Sequence, residues 1–132
     1  MLHIEIKTIP DKEQRYNTVG DYWKESGKDV VRVSDMGDWR YEVLIAIHEI
    51  IEESLCRARG ISDDAITDFD KRYERGRKYG ILDEPGDNLQ APYHKEHEFA
   101  TEIERSFAEE LGVDWAEYSE RTARCDDLTL EK

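Results

Sequence analysis

Apolar and polar residues alternate at the start of the chain, which is the pattern of a half-buried strand. Within residues 2–7 every second residue is apolar, so we expect a first strand there. Residues 15–23 are rich in tyrosine, threonine, valine and tryptophan, and residues 30–33 follow the turn-forming sequence Ser-Gly-Lys. These three segments predict a small N-terminal antiparallel sheet.

From residue 38 onward the spacing of apolar residues becomes helical. Asp38 is a suitable N-cap, and Gly60 suits the left-handed position after a helix that ends near residue 59. The apolar residues of this central helix share one broad face: Val43, Leu44, Ile47, Ile50, Ile51, Leu55 and Ala58. The pattern therefore predicts a helix of about twenty residues that covers the sheet.

Two or three further helices are predicted in the second half of the chain. A shorter helix follows residue 62, a third runs from about residue 93 to 111, and a last short one begins after residue 114. The final residues, 126–132, are expected to fray. Residues 76–92 have no regular period, and a loop this long in a compact domain is usually functional or mobile.

Together the elements predict an α+β fold, in which a small N-terminal antiparallel sheet packs on a long central helix with two or three further helices. We expect one domain over residues 1–132, rich in β-structure over 1–34 and helical over 38–125. A chain of 132 residues is long enough for a single core.

Composition narrows the classes of partner. The net charge of −13 leaves little to neutralise phosphates, so we expect no nucleic-acid partner. The basic cluster at residues 71–78 is better interpreted as a solvated helix end or loop than as an anion contact. No apolar run reaches membrane-spanning length, so we expect no membrane partner. Cys56 and Cys125 fit free thiols in a reducing cytoplasm, with Cys56 buried.

The strongest candidate for chemistry lies inside the central helix. Residues 46–53 read Ala-Ile-His-Glu-Ile-Ile-Glu-Glu, and side chains four apart on a helix are neighbours, so His48 and Glu52 can reach one point. Zinc hydrolases with an H-E-x-x-H helix offer two ligands in this way, with the intervening glutamate as general base. By this spacing His48 and Glu52 are candidate ligands, and Glu49 is the candidate base.

A third ligand is available at the start of the predicted third helix. His94 and His97 lie three residues apart, and either can complete a set of three protein ligands that leaves a position for water. We favour His97, with His94 as its rival or as a fourth ligand. Asp70 is a further carboxylate to test. The expected cofactor is a divalent metal, with zinc favoured.

A simpler interpretation is that the glutamates of residues 42–53 form the solvated face of an amphipathic helix. His48 would then be a boundary histidine bonded to a backbone carbonyl. The acidic sequence at residues 83–88 lacks the alternation of an EF-hand loop, so we interpret it as a turn.

The segments at 48–61, 83–87, 91–94 and 110–115 resemble small, uncharacterised proteins encoded by bacteriophages and prophages. The resemblance covers most of residues 40–118. It implies a phage setting and, with it, the cytoplasm of a host cell.

The pattern His48-Glu49-x-x-Glu52 is similar to that of zincin-type metallopeptidases. These have histidine where this chain has Glu52, and the additional oxygen ligand makes manganese or another hard ion an alternative to zinc. A more distant likeness is to all-α nucleotide pyrophosphohydrolases, whose E-x-x-E pair Glu49 and Glu52 match. A second, E-x-x-D helix is missing, and the β-rich N-terminus is foreign to that fold.

Two functions are therefore expected. The first is a zincin-like, metal-dependent hydrolase that acts through a metal-bound water. The alternative is a non-enzymatic, acidic phage accessory protein that docks on a host protein with a basic surface, any metal being structural. Oligomeric state and substrate do not follow from the sequence.

Overall fold

Three strands form a single sheet near the N-terminus. In the computed structural model, residues 1–76 and 84–130 are described, and for residues 124–130 the description covers the backbone alone. The strands are β1 (Ile4–Ile9), β2 (Gly20–Glu25) and β3 (Lys28–Ser34). β2 and β3 form an antiparallel hairpin. Its two turn residues, Ser26 and Gly27, have φ of 49° and 79°, which gives the type I′ geometry that matches strand twist.

The strand order is β1-β3-β2, with β1 parallel to β3. The sheet is mixed, so the predicted antiparallel arrangement is correct for β2 and β3 and wrong for β1. The reason lies in the connection between β1 and β2. Ile9 pairs with Ser34 and Gly20 pairs with Val33, so the chain leaves β1 and enters β2 at the same end of the sheet. β3 returns between them and runs in the direction of β1.

Four helices follow: α1 (Trp39–Ala58), α2 (Asp63–Gly76), α3 (His94–Glu110) and α4 (Trp115–Leu130). The predicted α+β class is confirmed. Asp38 caps α1 by accepting a hydrogen bond from the Arg40 N–H, and Gly60 beyond its end has φ of 72°. Within the described residues, no helix combines the length and apolar character needed to cross a membrane.

Several boundaries differ from the predictions. The first strand lies at Ile4–Ile9 rather than at residues 2–7, and the second lies at Gly20–Glu25 rather than at residues 15–23. α4 continues to Leu130, so the expected short helix with frayed residues after 125 is wrong. Of the predicted loop at 76–92, residues 77–83 and part of the basic cluster at 71–78 lie outside the described residues. The remainder contains a 3₁₀ turn, Pro85–Asp87, which agrees with the turn predicted for the acidic segment.

α1 is buried on two sides, because it packs against β2 and β3 on one side and against α3 on the other. Leu44 and Ile45 join the valines of β3 in the core. The predicted single apolar stripe therefore understates the burial of this helix. Glu52 is 5% exposed and Glu53 is 8% exposed, so the interpretation as a solvated face is wrong for these two glutamates. Glu42 and Glu49 are half-buried.

Candidate metal centre

His48 and Glu52 of α1 meet His97 of α3 in the space between the two helices. His48 Nε2 lies 3.0 Å from Glu52 Oε2 and 3.2 Å from His97 Nδ1, and His97 Nδ1 lies 2.9 Å from Glu52 Oε2. All three residues are buried. A tetrahedral ion with bonds of 2.0–2.1 Å holds its ligand atoms about 3.3 Å apart. The three atoms thus form a group that could hold a metal ion.

Local structure explains this convergence. The i, i+4 spacing on α1 stacks His48 and Glu52 on one face. His97 lies in the first turn of α3, and Gly86 of the preceding 3₁₀ turn packs directly against its ring. A Cβ at residue 86 would collide with the imidazole, so the absence of a side chain at this position allows His97 to reach the cluster.

Each histidine has a carboxylate at its other ring nitrogen. His48 Nδ1 lies 2.7 Å from Glu104 Oε1, and the Tyr118 hydroxyl donates to the second oxygen of Glu104. His97 Nε2 lies 3.1 Å from Asp87 Oδ1 and 3.2 Å from Glu84 Oε2. Metal-binding histidines usually donate their outer N–H to such a carboxylate. The arrangement leaves His48 Nε2 and His97 Nδ1 directed at the central point.

The electrostatics of the cluster are those of cations held among carboxylates. Burial alone would lower the pKa of His48, but hydrogen bonds to Glu104 and Glu52 raise it well above its usual value. The pKa of His97 is raised in the same way, against the effect of burial, by its carboxylate partners. Burial would raise the pKa of Glu52, yet the two histidines hold it down at about 2. The carboxylates therefore stabilise positive charge at this point, whether protons or a metal ion supply it.

Glu49 lines a cleft beside the cluster, as do His48, Glu52 and His97. It is partly buried, and among the described residues its carboxylate has no hydrogen-bond partner. Burial and the neighbouring Glu52 raise its pKa well above the usual range, and His48 opposes this shift. A carboxylate with a raised pKa beside a candidate ion is suited to accept a proton.

His94 is not brought into the cluster. Its Nδ1 lies 2.8 Å from the carbonyl oxygen of Gly86, and its Nε2 pairs with Glu98. Asp70 is also separate, because its two oxygens accept hydrogen bonds from the hydroxyls of Tyr16 and Tyr93. Of the predicted ligands, the structure brings together His48, Glu52 and His97.

Sequence reasoning missed the outer partners. Glu104 lies seven residues after His97, two helical turns along α3, and this spacing could have indicated it. The sequence pattern predicts Glu84 and Asp87 only as part of a turn. With His97 they form a second group that could hold an ion. Tyr22 of β2 also donates a hydrogen bond to Glu52 Oε1, at 3.2 Å.

Comparisons of the chain with models of protein families, with curated proteins and with solved structures gave no match. The likenesses to phage proteins and to zincins therefore stay predictions from the sequence.

Proposed function

We propose that this protein is a metal-dependent hydrolase of zincin-like type. One observation carries the proposal: His48 Nε2, Glu52 Oε2 and His97 Nδ1 lie 2.9–3.2 Å apart in a buried cluster, and Glu49 lines the cleft beside it. Two imidazoles and one carboxylate are a ligand set of catalytic zinc, and they leave a fourth position for water.

The roles of the residues follow from their positions. A bound ion would supply a water of lowered pKa. Glu49 would accept the proton of that water and then deliver it to the leaving group. Glu104, itself bonded to Tyr118, would hold His48 in the tautomer that presents Nε2 to the centre.

Zinc is the proposed ion, because two of the three ligands are imidazole nitrogens. Manganese is the alternative, since the ligand set includes the Glu52 carboxylate. Elemental analysis of untagged protein distinguishes the two.

The decisive measurement is metal content. We expect about one equivalent of a transition metal per chain, lost in His48→Ala and in His97→Ala. His3→Ala, at an exposed histidine near the N-terminus, is the matched control and should keep the metal. His94→Ala tests the rival ligand and should also keep it. Metal-free protein that cannot be reloaded with zinc or manganese would refute the proposal.

A second candidate function is docking on a host protein with a basic surface. The net charge of −13 favours it, because an acidic surface accelerates and orients association with a basic one. Any metal would then be structural, holding α1 to α3. Binding of a basic host partner should weaken steeply with salt and survive Glu49→Ala. Binding that does not depend on salt would contradict it.

A further inference from the structure

The first strand, β1, has one open edge. Among the described residues it pairs only with β3. The carbonyl oxygens of His3 and Ile9 accept hydrogen bonds from the N–H groups of Asp29 and Asp35, both at 2.8 Å. Because successive residues of a strand direct their backbone groups to opposite sides, residues 3, 5, 7 and 9 face β3, and residues 4, 6 and 8 face away from it. Such an edge is a template for pairing with another strand.

β1 also holds an apolar side chain in contact with water. Ile6, in the middle of the strand, is 50% exposed. Ile4, on the same face, packs against the core, whereas α1 packs on β2 and β3, so the middle of β1 lies at the margin of the core. Proteins usually protect an exposed edge strand that carries apolar residues, and a second strand beside β1 would shield Ile6.

The opposite face of β1 carries one acidic and one basic residue, Glu5 and Lys7. If two β1 strands pair antiparallel with Ile6 opposite Ile6, Glu5 of each copy lies opposite Lys7 of the other. A register centred on Glu5 or on Lys7 would instead place like charges opposite each other, which is destabilising. The charges of the strand are therefore complementary to those of a second copy in one register.

We propose that β1 pairs antiparallel with β1 of a second copy of this chain, across a two-fold axis at Ile6. The two three-stranded sheets would then join into one. The two Ile6 residues would exchange both backbone hydrogen bonds, and Ile4 of each copy would do the same with Thr8 of the other. The same patch serves both partners, as a two-fold interface requires.

The net charge of −13 does not oppose this contact strongly at physiological salt. Repulsion between exposed charges is screened beyond about 8 Å at 0.15 M ionic strength, and the charges of β1 balance each other locally. The dimer does not depend on the hydrolase proposed above, because β1 contributes none of the candidate metal ligands.

Sedimentation velocity measures the association directly. We would examine the full chain at 0.15 M salt from about 1 to 300 μM, since a small interface of this kind is expected to be weak. We expect a concentration-dependent monomer–dimer equilibrium, both with zinc and with a chelator. A dimer in metal-free protein would support β1 pairing whether or not the metal centre exists.

Variants test the two parts of the contact. Ile6→Pro removes an N–H that faces away from β3, and proline is tolerated at such an edge position, so we expect a monomer with an unchanged circular dichroism spectrum. Lys7→Glu places Glu5 opposite a like charge at two symmetric positions and should weaken the dimer by about tenfold or more. Lys71→Glu makes the same charge change at an exposed position on α2 and should dimerise normally.

Cysteine cross-linking tests the register. Residues opposite each other in a hydrogen-bonded antiparallel pair have Cα atoms about 5.5 Å apart, within reach of a disulfide. Ile6→Cys should therefore form a covalent dimer rapidly on mild oxidation, relative to wild type. In the same register the two residues 8 lie about 13 Å apart along the strands, so Thr8→Cys should cross-link much more slowly.

Four results would overturn the proposal: a monomer over the whole concentration range, a dimer that persists in Ile6→Pro, an equal loss in Lys71→Glu and Lys7→Glu, or faster cross-linking through Thr8→Cys than through Ile6→Cys. A monomeric wild type would leave the open edge to a strand from a different protein. If Ile6→Pro does not fold, Lys7→Glu and the two cysteine variants still decide the question.

Discussion

At the scale of single residues, the environment of each carboxylate separates its role from that of its neighbours. Glu52 is held between two histidines and is ionised over the whole ordinary pH range. Glu49, one turn earlier on the adjacent face, has no hydrogen-bond partner in the described residues and a raised pKa. Glu52 therefore has the ionised carboxylate that a metal ligand needs, and Glu49, three positions away, has the raised pKa that suits a proton acceptor.

Glu49→Gln should therefore separate binding from catalysis. The amide keeps the size of the side chain but cannot accept the proton of the water. We expect metal content to be unchanged and hydrolysis to fall by about 10²–10⁴-fold, measured on a panel of fluorogenic peptide and ester substrates. Loss of metal from this variant would show that Glu49 is a ligand, and unchanged turnover would show that it is not the base.

Glu104→Gln tests whether the carboxylate of Glu104 orients His48. The charge that favours the Nδ1–H tautomer is removed, so zinc affinity should fall by about 10–100-fold, as measured by competition with a chelator. Glu102→Gln, at an exposed position on α3, is the control and should bind zinc normally. Equal affinity in the two variants would mean that Glu104 has no positioning role.

At the scale of elements, the sequence predicted more of the scaffold than of the site. The caps of α1 and the apolar spacing along both helices place α1 and α3 within a few residues. The pairing of β1 with β3 was missed, because alternation defines a strand but not its partner. The i, i+4 pair of His48 and Glu52 could be predicted from the sequence, because it depends on a single helix. The contacts of Glu84 and Asp87 with His97 arise because the 3₁₀ turn packs against α3. No local pattern in the sequence predicts that packing.

Gly86→Ala examines that turn. An added methyl group would collide with the ring of His97, so either the turn or the imidazole must shift. We expect weaker metal binding and a free energy of unfolding lowered by about 1–3 kcal/mol, as for overpacking. Gly76→Ala, where a Cβ meets no atom of the described residues within 4 Å, should leave both quantities nearly unchanged. Normal metal binding in Gly86→Ala would contradict the close contact.

Asp70 links α2 to the segments on either side of it, through Tyr16 and Tyr93. Burial raises its pKa to about 7 in the folded protein, above an unfolded value of about 3.9. The folded state therefore holds the proton more tightly, and this contribution to stability is complete below pH ~4 and lost as pH rises through ~7.

Denaturant titrations of metal-free protein should show this difference between pH 4 and 8. The wild type should lose up to about 4 kcal/mol relative to Asp70→Asn over that range. Parallel pH profiles for the two proteins would show that the carboxyl group of Asp70 titrates normally.

At the scale of the whole molecule, the cluster joins α1 to α3 and so connects the sheet-bearing half of the chain to the helical half. An ion that binds only the folded state stabilises it by mass action, by about 2.7 kcal/mol at a hundredfold excess over the dissociation constant. We expect zinc to raise the Tm of the wild type and not of His48→Ala, as followed by circular dichroism. A Tm that does not respond to zinc would refute specific binding.

The distance along the chain between the proposed ligands has a consequence for synthesis. His97 follows Glu52 by 45 residues, and a ribosome adds roughly 5–20 residues per second. During the seconds between the synthesis of Glu52 and that of His97, α1 leaves the exit tunnel with one imidazole and one carboxylate. Two ligands bind an ion too weakly to retain it. We expect nascent chains arrested before residue 97 to be metal-free and chains that expose α3 to be loaded, so that acquisition of the ion is a late step in the biogenesis of this protein.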